Sequence, residues 1–175
     1  MVRVSGMSKE EVSKFLSFPH IAKLATTNPD GSPQISPVWF YREGNTILIS
    51  TYKESVKIRN IRHNPTVSLL IDSSKGGLKL KGVLVRGSAS LVEGAECNKI
   101  VENIYHKYLP TRITRTSKAA AAFKKLMTHE SDSSMCIRIT PKTISTWDYG
   151  MMTAKDVMTE STQAYVTNKA TSILE

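Results

Sequence analysis

Six short strand-like segments, separated by turn signals, constrain the fold of this chain more than any other feature. Most of them recur at short spacing before residue 93, and the last follows two predicted helices. Such spacing favours hairpins in an antiparallel barrel over a parallel sheet with helical crossovers. The predicted strands are residues 21–27, 34–42, 46–52, 66–72, 83–93 and 135–147.

Helix and turn signals support this reading. Ser8 and Glu11 have the spacing of a capping box, which predicts a short helix ending near residue 18. Residues 28–31, Asn-Pro-Asp-Gly, are typical of a turn. Pro37 predicts an edge strand or a bulge, because proline donates no hydrogen bond to a strand ladder. A loop is expected at residues 73–77, and further helices at residues 95–109 and 117–128.

Charge indicates an anionic partner. The 175 residues are most simply one domain, and their net charge is +9. Nucleic acid and a phosphorylated cofactor are the two candidate partners. The positive residues are spread along the chain rather than gathered in a tail, which weakens the nucleic-acid interpretation without excluding it.

The compartment is predicted from what the sequence does not contain. Residues 1–12 have no apolar core of a signal peptide, and no apolar run approaches membrane-spanning length. Cys97 and Cys136 have no metal-site spacing and suit a reducing compartment, with Cys136 as an inert buried thiol. We therefore expect a cytoplasmic protein without membrane contact.

A basic segment at residues 50–65, STYKESVKIRNIRHNP, joins two apolar runs. Hydroxyl side chains end one strand and precede a predicted helix, whose first N–H groups lack internal partners and whose dipole adds positive potential. A cation in the first turn, Lys57, is disfavoured unless an anion lies nearby. The alternative is a solvated basic helix face. The hypothesis is a phosphate site built from Ser50, Thr51, Ser55 and Lys57.

These residues also carry a resemblance to a known superfamily. The pattern K-x-R-N-[IL]-R-x-[ND]-P occurs from Lys57 to Pro65, and PQISPVWF, VSLLID and GVLVRGSASLV surround it in order. Over about residues 11–150 the chain resembles the pyridoxamine 5′-phosphate oxidase-like, flavin-binding split-barrel superfamily. The resemblance implies a mainly β (α+β) fold: a six-stranded antiparallel split β-barrel with Greek-key order and peripheral helices.

The resemblance also implies a function. It implies a homodimer that binds FMN across the subunit interface, and hydride transfer between flavin and an unknown small molecule. The implied phosphate residues are those of the basic segment. Other implied cofactor residues, with core or interface packing as the alternative for several, are Ser36, Val38, Trp39, Phe40, Arg59, Lys81, Gly82 and Trp147.

Several alternatives remain open at this point. The R-x-V-L-L-K and R-L-x-P motifs of the vitamin-forming oxidases are absent, so the chain looks closer to the branch that binds FMN or deazaflavin coenzyme F-420. A flavin carrier without turnover and a nucleic-acid-binding module are alternative functions. No catalytic side chain or metal site is predicted. Residues 1–150 form the expected flavin domain, and residues 151–175 an extension, either a helix or an arm on the dimer.

Overall fold

The structure, a computed structural model, describes residues 6–75, 79–109, 133–149 and 166–169. Strands dominate the chain, and helices enter between them. In chain order the elements are α1 (Lys9–Ser17), β1 (Ala22–Thr27), β2 (Pro33–Val38), β3 (Phe40–Glu43), β4 (Thr46–Tyr52), α2 (Val56–His63), β5 (Thr66–Lys75), β6 (Lys79–Val92), α3 (Gly94–Tyr108), β7 (Ser134–Asp148) and β8 (Val166–Lys169).

The strands form one curled antiparallel sheet. Its path is β2-β1-β5-β6-β7-β4-β3, and β8 pairs with β7 beside this path. The two edge strands, β2 and β3, belong to one stretch of chain, with only Trp39 between them. That stretch pairs with β1 up to Val38 and with β4 from Phe40 onward. The seven strands of the path correct the predicted six, because the predicted strand 34–42 changes partner at Trp39.

Two prolines lie where a ladder tolerates them. Pro37 is in β2, which is an edge strand of the described sheet, as predicted. Pro141 is in β7 opposite Gly87, where the β6–β7 register shifts. A Cβ on Gly87 would lie 2.2 Å from the Thr140 carbonyl oxygen, so the close approach at this bulge requires glycine.

The β5–β6 hairpin is longer than the sequence indicated. β5 continues to Lys75 and β6 begins at Lys79, whereas a loop was expected at residues 73–77 and a strand start at residue 83. The register runs from Thr66 opposite Ser88 to Lys75 opposite Lys79. Backbone pairing therefore includes Ser73, Ser74 and Lys75, which composition had assigned to the loop.

The described helices pack against the strands of the curled sheet. The predicted capping box of α1 is confirmed: Glu11 N–H donates to Ser8 Oγ at 3.2 Å, and Ser8 N–H donates to Glu11 Oε2 at 2.8 Å. The helix α3 confirms the prediction at residues 95–109, and none of the described helices is long and apolar enough to cross a membrane. The predicted helix 117–128 lies outside the described residues. In the C-terminal extension, β8 pairs with β7.

Two clusters of buried side chains hold these layers together. The larger one fills the sheet interior and includes Phe40, Ile49 and Leu69. The smaller one joins α3 to β4 and β7, and it includes Leu48 and Ile104. The larger cluster comes mostly from alternate strand positions, whereas the smaller one comes mostly from the apolar face of α3. Neighbouring strand residues therefore face either the sheet interior or α3.

A disulfide joins Cys97 of α3 to Cys136 of β7, at a Cα–Cα distance of 5.4 Å. Both residues are fully buried in the smaller core cluster. The prediction that Cys136 is an inert free thiol is therefore wrong, because the fold brings two cysteines that are 39 positions apart into contact. The prediction of a reducing compartment, which assumed free thiols, loses that support.

Candidate functional site

A cluster of hydroxyl groups and one ammonium group lies where β4 leads into α2. The Lys57 ammonium donates to Thr51 Oγ1 at 3.1 Å, and the Thr51 hydroxyl lies 3.4 Å from Ser55 Oγ. Ser55 is the N-cap of α2, yet its side chain makes no capping hydrogen bond. Its hydroxyl is thus oriented toward Thr51 instead of the helix backbone. The local sequence brings these donors to the positive end of the helix dipole.

Lys57 is a half-buried cation that has no acidic partner among the described residues. None of the ion pairs in the described part of the chain includes it. The first turn of α2 also contains no acidic residue. Burial lowers the pKa of the Lys57 ammonium below its usual value, because desolvation disfavours the charged form. A bound anion at this position would offset that desolvation.

The cluster forms one end of an open cleft of about 660 Å³, which we call the first cleft. The junction between β2 and β3 forms one wall, and one face of α3 forms another. Its apolar walls and few polar groups are typical of small-molecule sites, which have volumes of about 300–1,000 Å³. The lining residues are Ile21, Pro37, Val38, Trp39, Ser50, Thr51, Tyr52, Lys57, Val101, Ile104, Tyr105 and Ser134.

Most of the predicted phosphate residues meet in this cleft. Ser50, Thr51 and Lys57 line it, and Ser55 joins them through its contact with Thr51. Arg59 is exposed on α2 and lies outside the lining. The cleft therefore contains the hydroxyls and the lysine of the basic segment, but not its first arginine.

The residues predicted to lie beside the flavin ring are divided between the cleft and the core. Val38 and Trp39 line the first cleft. Ser36 lies two residues earlier on β2, opposite Leu24, and is not part of the lining. Phe40 is fully buried in the sheet interior, so its side chain packs in the core instead of facing the cleft. Alternation explains why Trp39 lines the cleft and Phe40 does not, since neighbouring side chains point to opposite faces.

The remaining predicted residues lie together at the other end of β7. Gly82 is opposite Trp147 in the β6–β7 register, and a Cβ on Gly82 would lie 2.3 Å from the indole ring. The Lys81 ammonium pairs with the Asp148 carboxylate at 2.7 Å. None of the three predicted residues lines the first cleft, which meets β7 at Ser134. Within one chain the predicted set therefore forms two separate groups.

Aromatic stacking fixes Trp39 at the point where the strand changes partner. Its ring stacks on Tyr108 of α3 with centroids 4.7 Å apart and an interplanar angle of 6°. The Tyr108 hydroxyl accepts a hydrogen bond from Phe40 N–H at 3.2 Å and donates one to the His20 carbonyl. Burial raises the pKa of Tyr108 to about 12, so this hydroxyl stays protonated. Trp39 is thus held in the cleft wall by a residue that does not line the cleft.

Sequence reasoning missed the α3 wall of the first cleft. Val101, Ile104 and Tyr105 line it, although they were interpreted only as the apolar face of a helix. Helical spacing gives the face of a helix but not the surface that it covers. The two tyrosines of an otherwise aliphatic stripe, Tyr105 and Tyr108, were the available signal, since a phenol often marks the boundary between core and solvent.

The comparisons with known proteins agree with this architecture. The profile of the pyridoxamine 5′-phosphate oxidase family matches residues 8–148. The chain belongs to that family. This membership confirms the resemblance drawn from the basic segment and its flanking strands.

Similar solved structures include proteins of different stated function. A conserved hypothetical protein, Rv2991, from Mycobacterium tuberculosis has 24% identity and a TM-score of 0.70, over 94% of this chain and 97% of its own. An F-420 reductase has 21% identity and a TM-score of 0.58, over 76% and 94%. A heme binding protein from Mycobacterium smegmatis has 17% identity and a TM-score of 0.65, over 99% and 62%. At these identities the likeness establishes the fold alone.

Proposed function

We propose that this family member binds FMN in the first cleft and acts as a flavin-dependent oxidoreductase on a small molecule. One observation supports the proposal most strongly. Lys57 is half-buried, has no carboxylate partner among the described residues, and lies in a hydroxyl cluster at a helix start. Such a combination of donors and positive potential suits a phosphate group.

The residues of the first cleft have separable roles in this proposal. Ser50, Thr51, Ser55 and Lys57 would hold the phosphate, as the order of hydroxyls and cation suggests. Trp39 would border the ring system, and its stacking on Tyr108 keeps its orientation fixed. When bound, FMN supplies the hydride-transfer chemistry, so the protein needs no nucleophile of its own. The chain contributes binding, orientation and partial exclusion of water.

A homodimer is the second part of the proposal. Two large side chains that line the first cleft, Ile21 and Tyr52, remain exposed, and Ile35 on the edge strand β2 is 65% exposed. Exposed apolar groups near a cleft favour coverage by another chain. A second copy could also bring its Lys81, Gly82 and Trp147 to a cleft that they do not reach within one chain. Val56, the first residue of α2, is also exposed.

Deazaflavin coenzyme F-420 is the alternative cofactor, and one neighbour is named an F-420 reductase. Heme is a weaker candidate. A heme iron takes an axial ligand such as histidine, cysteine, methionine or tyrosine. Among the lining residues of the first cleft, only Tyr52 and Tyr105 are of these types. FMN ends at its phosphate, which agrees with a donor cluster at one end of the cleft, so we prefer it.

Absorbance of the purified protein is the deciding experiment. The spectrum would be recorded first, and the released chromophore would be identified by mass. FMN, the deazaflavin and heme would then each be titrated into protein freed of chromophore. We expect saturable FMN binding that is weakened in Lys57→Met. Arg62→Met is the matched control, since it removes one exposed charge from the same helix outside the cleft.

Each other outcome has a definite meaning. If the deazaflavin binds more tightly than FMN, the deazaflavin is the cofactor. Failure to bind any of the three would overturn the proposal and leave the nucleic-acid alternative, tested by its salt dependence. If FMN binds and is reduced chemically, but no small-molecule acceptor reoxidises it faster than in free solution, the protein is a carrier.

A further inference from the structure

A second cleft lies on the other side of α3, between α1 and the turn that joins β3 to β4. It has a volume of about 510 Å³ and is open to solvent. It shares no lining residue with the first cleft. We call it the second cleft, and its lining residues are Ser13, Leu16, Ser17, Tyr41, Arg42, Gly44, Asn103, His106 and Lys107.

Positive charge dominates this lining. Arg42 and Lys107 contribute two cationic side chains, whereas aspartate and glutamate are absent from the lining. The Arg42 guanidinium is fixed by two hydrogen bonds of 2.9 Å, from Nε to the Gly44 carbonyl and from one terminal nitrogen to Ser13 Oγ. A fixed guanidinium loses little side-chain entropy when it binds an oxyanion. This wall is therefore preorganised for a negative group.

Lys107 forms the opposite wall and is the less exposed cation. Its ammonium donates to the Leu16 carbonyl at 2.8 Å and lies 3.3 Å from the centroid of the Phe40 ring. No carboxylate in the described part of the chain forms an ion pair with it. Burial lowers the pKa of Lys107 to about 7. Among the described residues this half-buried ammonium is held by a carbonyl and the faces of two aromatic rings, and an anion would stabilise it further.

We propose that the second cleft binds the oxyanion group, phosphate or carboxylate, of a small molecule. Arg42 and Lys107 supply the charge from two sides. The Ser13 hydroxyl, which accepts from Arg42 and keeps its own proton, and the amide of Asn103 supply neutral donors. Tyr41 adds an apolar surface for the remainder of the ligand. The site is independent of the proposed flavin site, since the two clefts share no lining residue.

The test uses inorganic phosphate as the first probe and acetate as the second. Because phosphate would also enter the first cleft, both are titrated at constant ionic strength into full-length Lys57→Met protein. Binding is followed by amide NMR shifts at Gly44 and Asn103, beside the second cleft. We expect saturable shifts with at least one of the two anions. The anion that binds more tightly identifies the preferred group as phosphate or carboxylate.

A pair of added variants distinguishes the cleft from a general surface charge. In the same background, Lys107→Met should weaken binding about tenfold or more, as expected for a lost charged donor. Lys99→Met removes a charge from an exposed position of α3 and should leave affinity unchanged. If Lys107→Met does not fold, Arg42→Gln replaces it with the same expected loss. No saturable shift with either anion, or equal weakening in the control, would overturn the proposal.

Discussion

The two clefts on either side of α3 have one property in common and differ in another. Each contains a half-buried lysine, Lys57 or Lys107, that pairs with no carboxylate in the described part of the chain. Burial lowers the pKa of both. The partners of the two ammonium groups are different, and this difference determines what each cleft can bind.

Lys57 contacts a hydroxyl, whereas Lys107 contacts a carbonyl and an aromatic face. A hydroxyl can turn its proton toward an anion, so the partner of Lys57 becomes a second donor when an anion binds. A carbonyl oxygen and a ring face are electron-rich and can only compete with the anion for the ammonium. The group that contacts a buried ammonium, as well as the extent of burial, therefore determines how strongly the ammonium attracts an anion. We expect tighter anion binding at Lys57.

The largest expected effect concerns α3, the helix that lines both clefts with different residues. The disulfide ties α3 to β7 across a separation of 39 residues, and closing a loop of that length stabilises a fold by about 4 kcal/mol. Reduction should lower the free energy of unfolding by nearly this amount. Denaturant unfolding with and without reductant measures it. The double variant Cys97→Ala with Cys136→Ala should not respond to reductant, and an oxidised protein that is equally insensitive would contradict the prediction.

The second prediction concerns the stronger anion site. Lys57→Met should weaken FMN binding by about 10- to 100-fold, because a hydrogen bond to a charged group contributes roughly 1.5–3 kcal/mol. Lys107→Met should leave FMN affinity within about twofold, since Lys107 faces the other cleft. Fluorescence or calorimetric titration of both variants measures the contrast. Equal losses in the two variants would show that the clefts are not independent.

Tyr108 lies between the clefts and gives the third prediction. Tyr108→Phe keeps the stacking on Trp39 but leaves Phe40 N–H without its hydrogen-bond acceptor. We expect a loss of about 1–2 kcal/mol in the free energy of unfolding, the usual effect of an unsatisfied polar group in a partly buried site. Tyr149→Phe, just after β7, serves as the control. If both variants unfold at the same denaturant concentration as the original protein, the Tyr108 hydroxyl has no structural role.

The fourth prediction is a pH dependence that comes from Lys107. Its pKa is about 7 in the folded protein and has its usual value near 10.5 when the chain is unfolded. Between these values the unfolded chain binds more protons, so this group makes stability rise as pH increases from about 7 to about 10. The difference in unfolding free energy between the original protein and Lys107→Met should show this rise. Inorganic phosphate should reduce it, because an anion raises the pKa of Lys107.

Much of the local structure was predictable from the sequence. The capping box of Ser8 and Glu11, the edge position of Pro37 and the helix at residues 95–109 are all present. Ser50, Thr51 and Lys57 do lie together in one cleft. These features depend on residues that are close in sequence, and their hydrogen bonds or dipoles act over a single turn. A pattern of neighbouring residues therefore contains enough information to predict these local features.

Other features could not be predicted, because they depend on which distant segments become neighbours. The partner change at Trp39 divides one expected strand into two, since two different strands compete for the same stretch. The Cys97–Cys136 disulfide and the separation of Trp147 from the first cleft depend on how β7 crosses the sheet.

The second cleft shows this limit most clearly. Leu16, Arg42 and Lys107 come from three elements that have no common pattern in the sequence. The sequence alone determined the hydrogen-bonding and burial preferences of each segment, and with them the basic helix start. Only the tertiary structure decided which charges were buried and which neighbours surrounded them, because burial and electrostatic interaction depend on distance in space and not on separation along the chain.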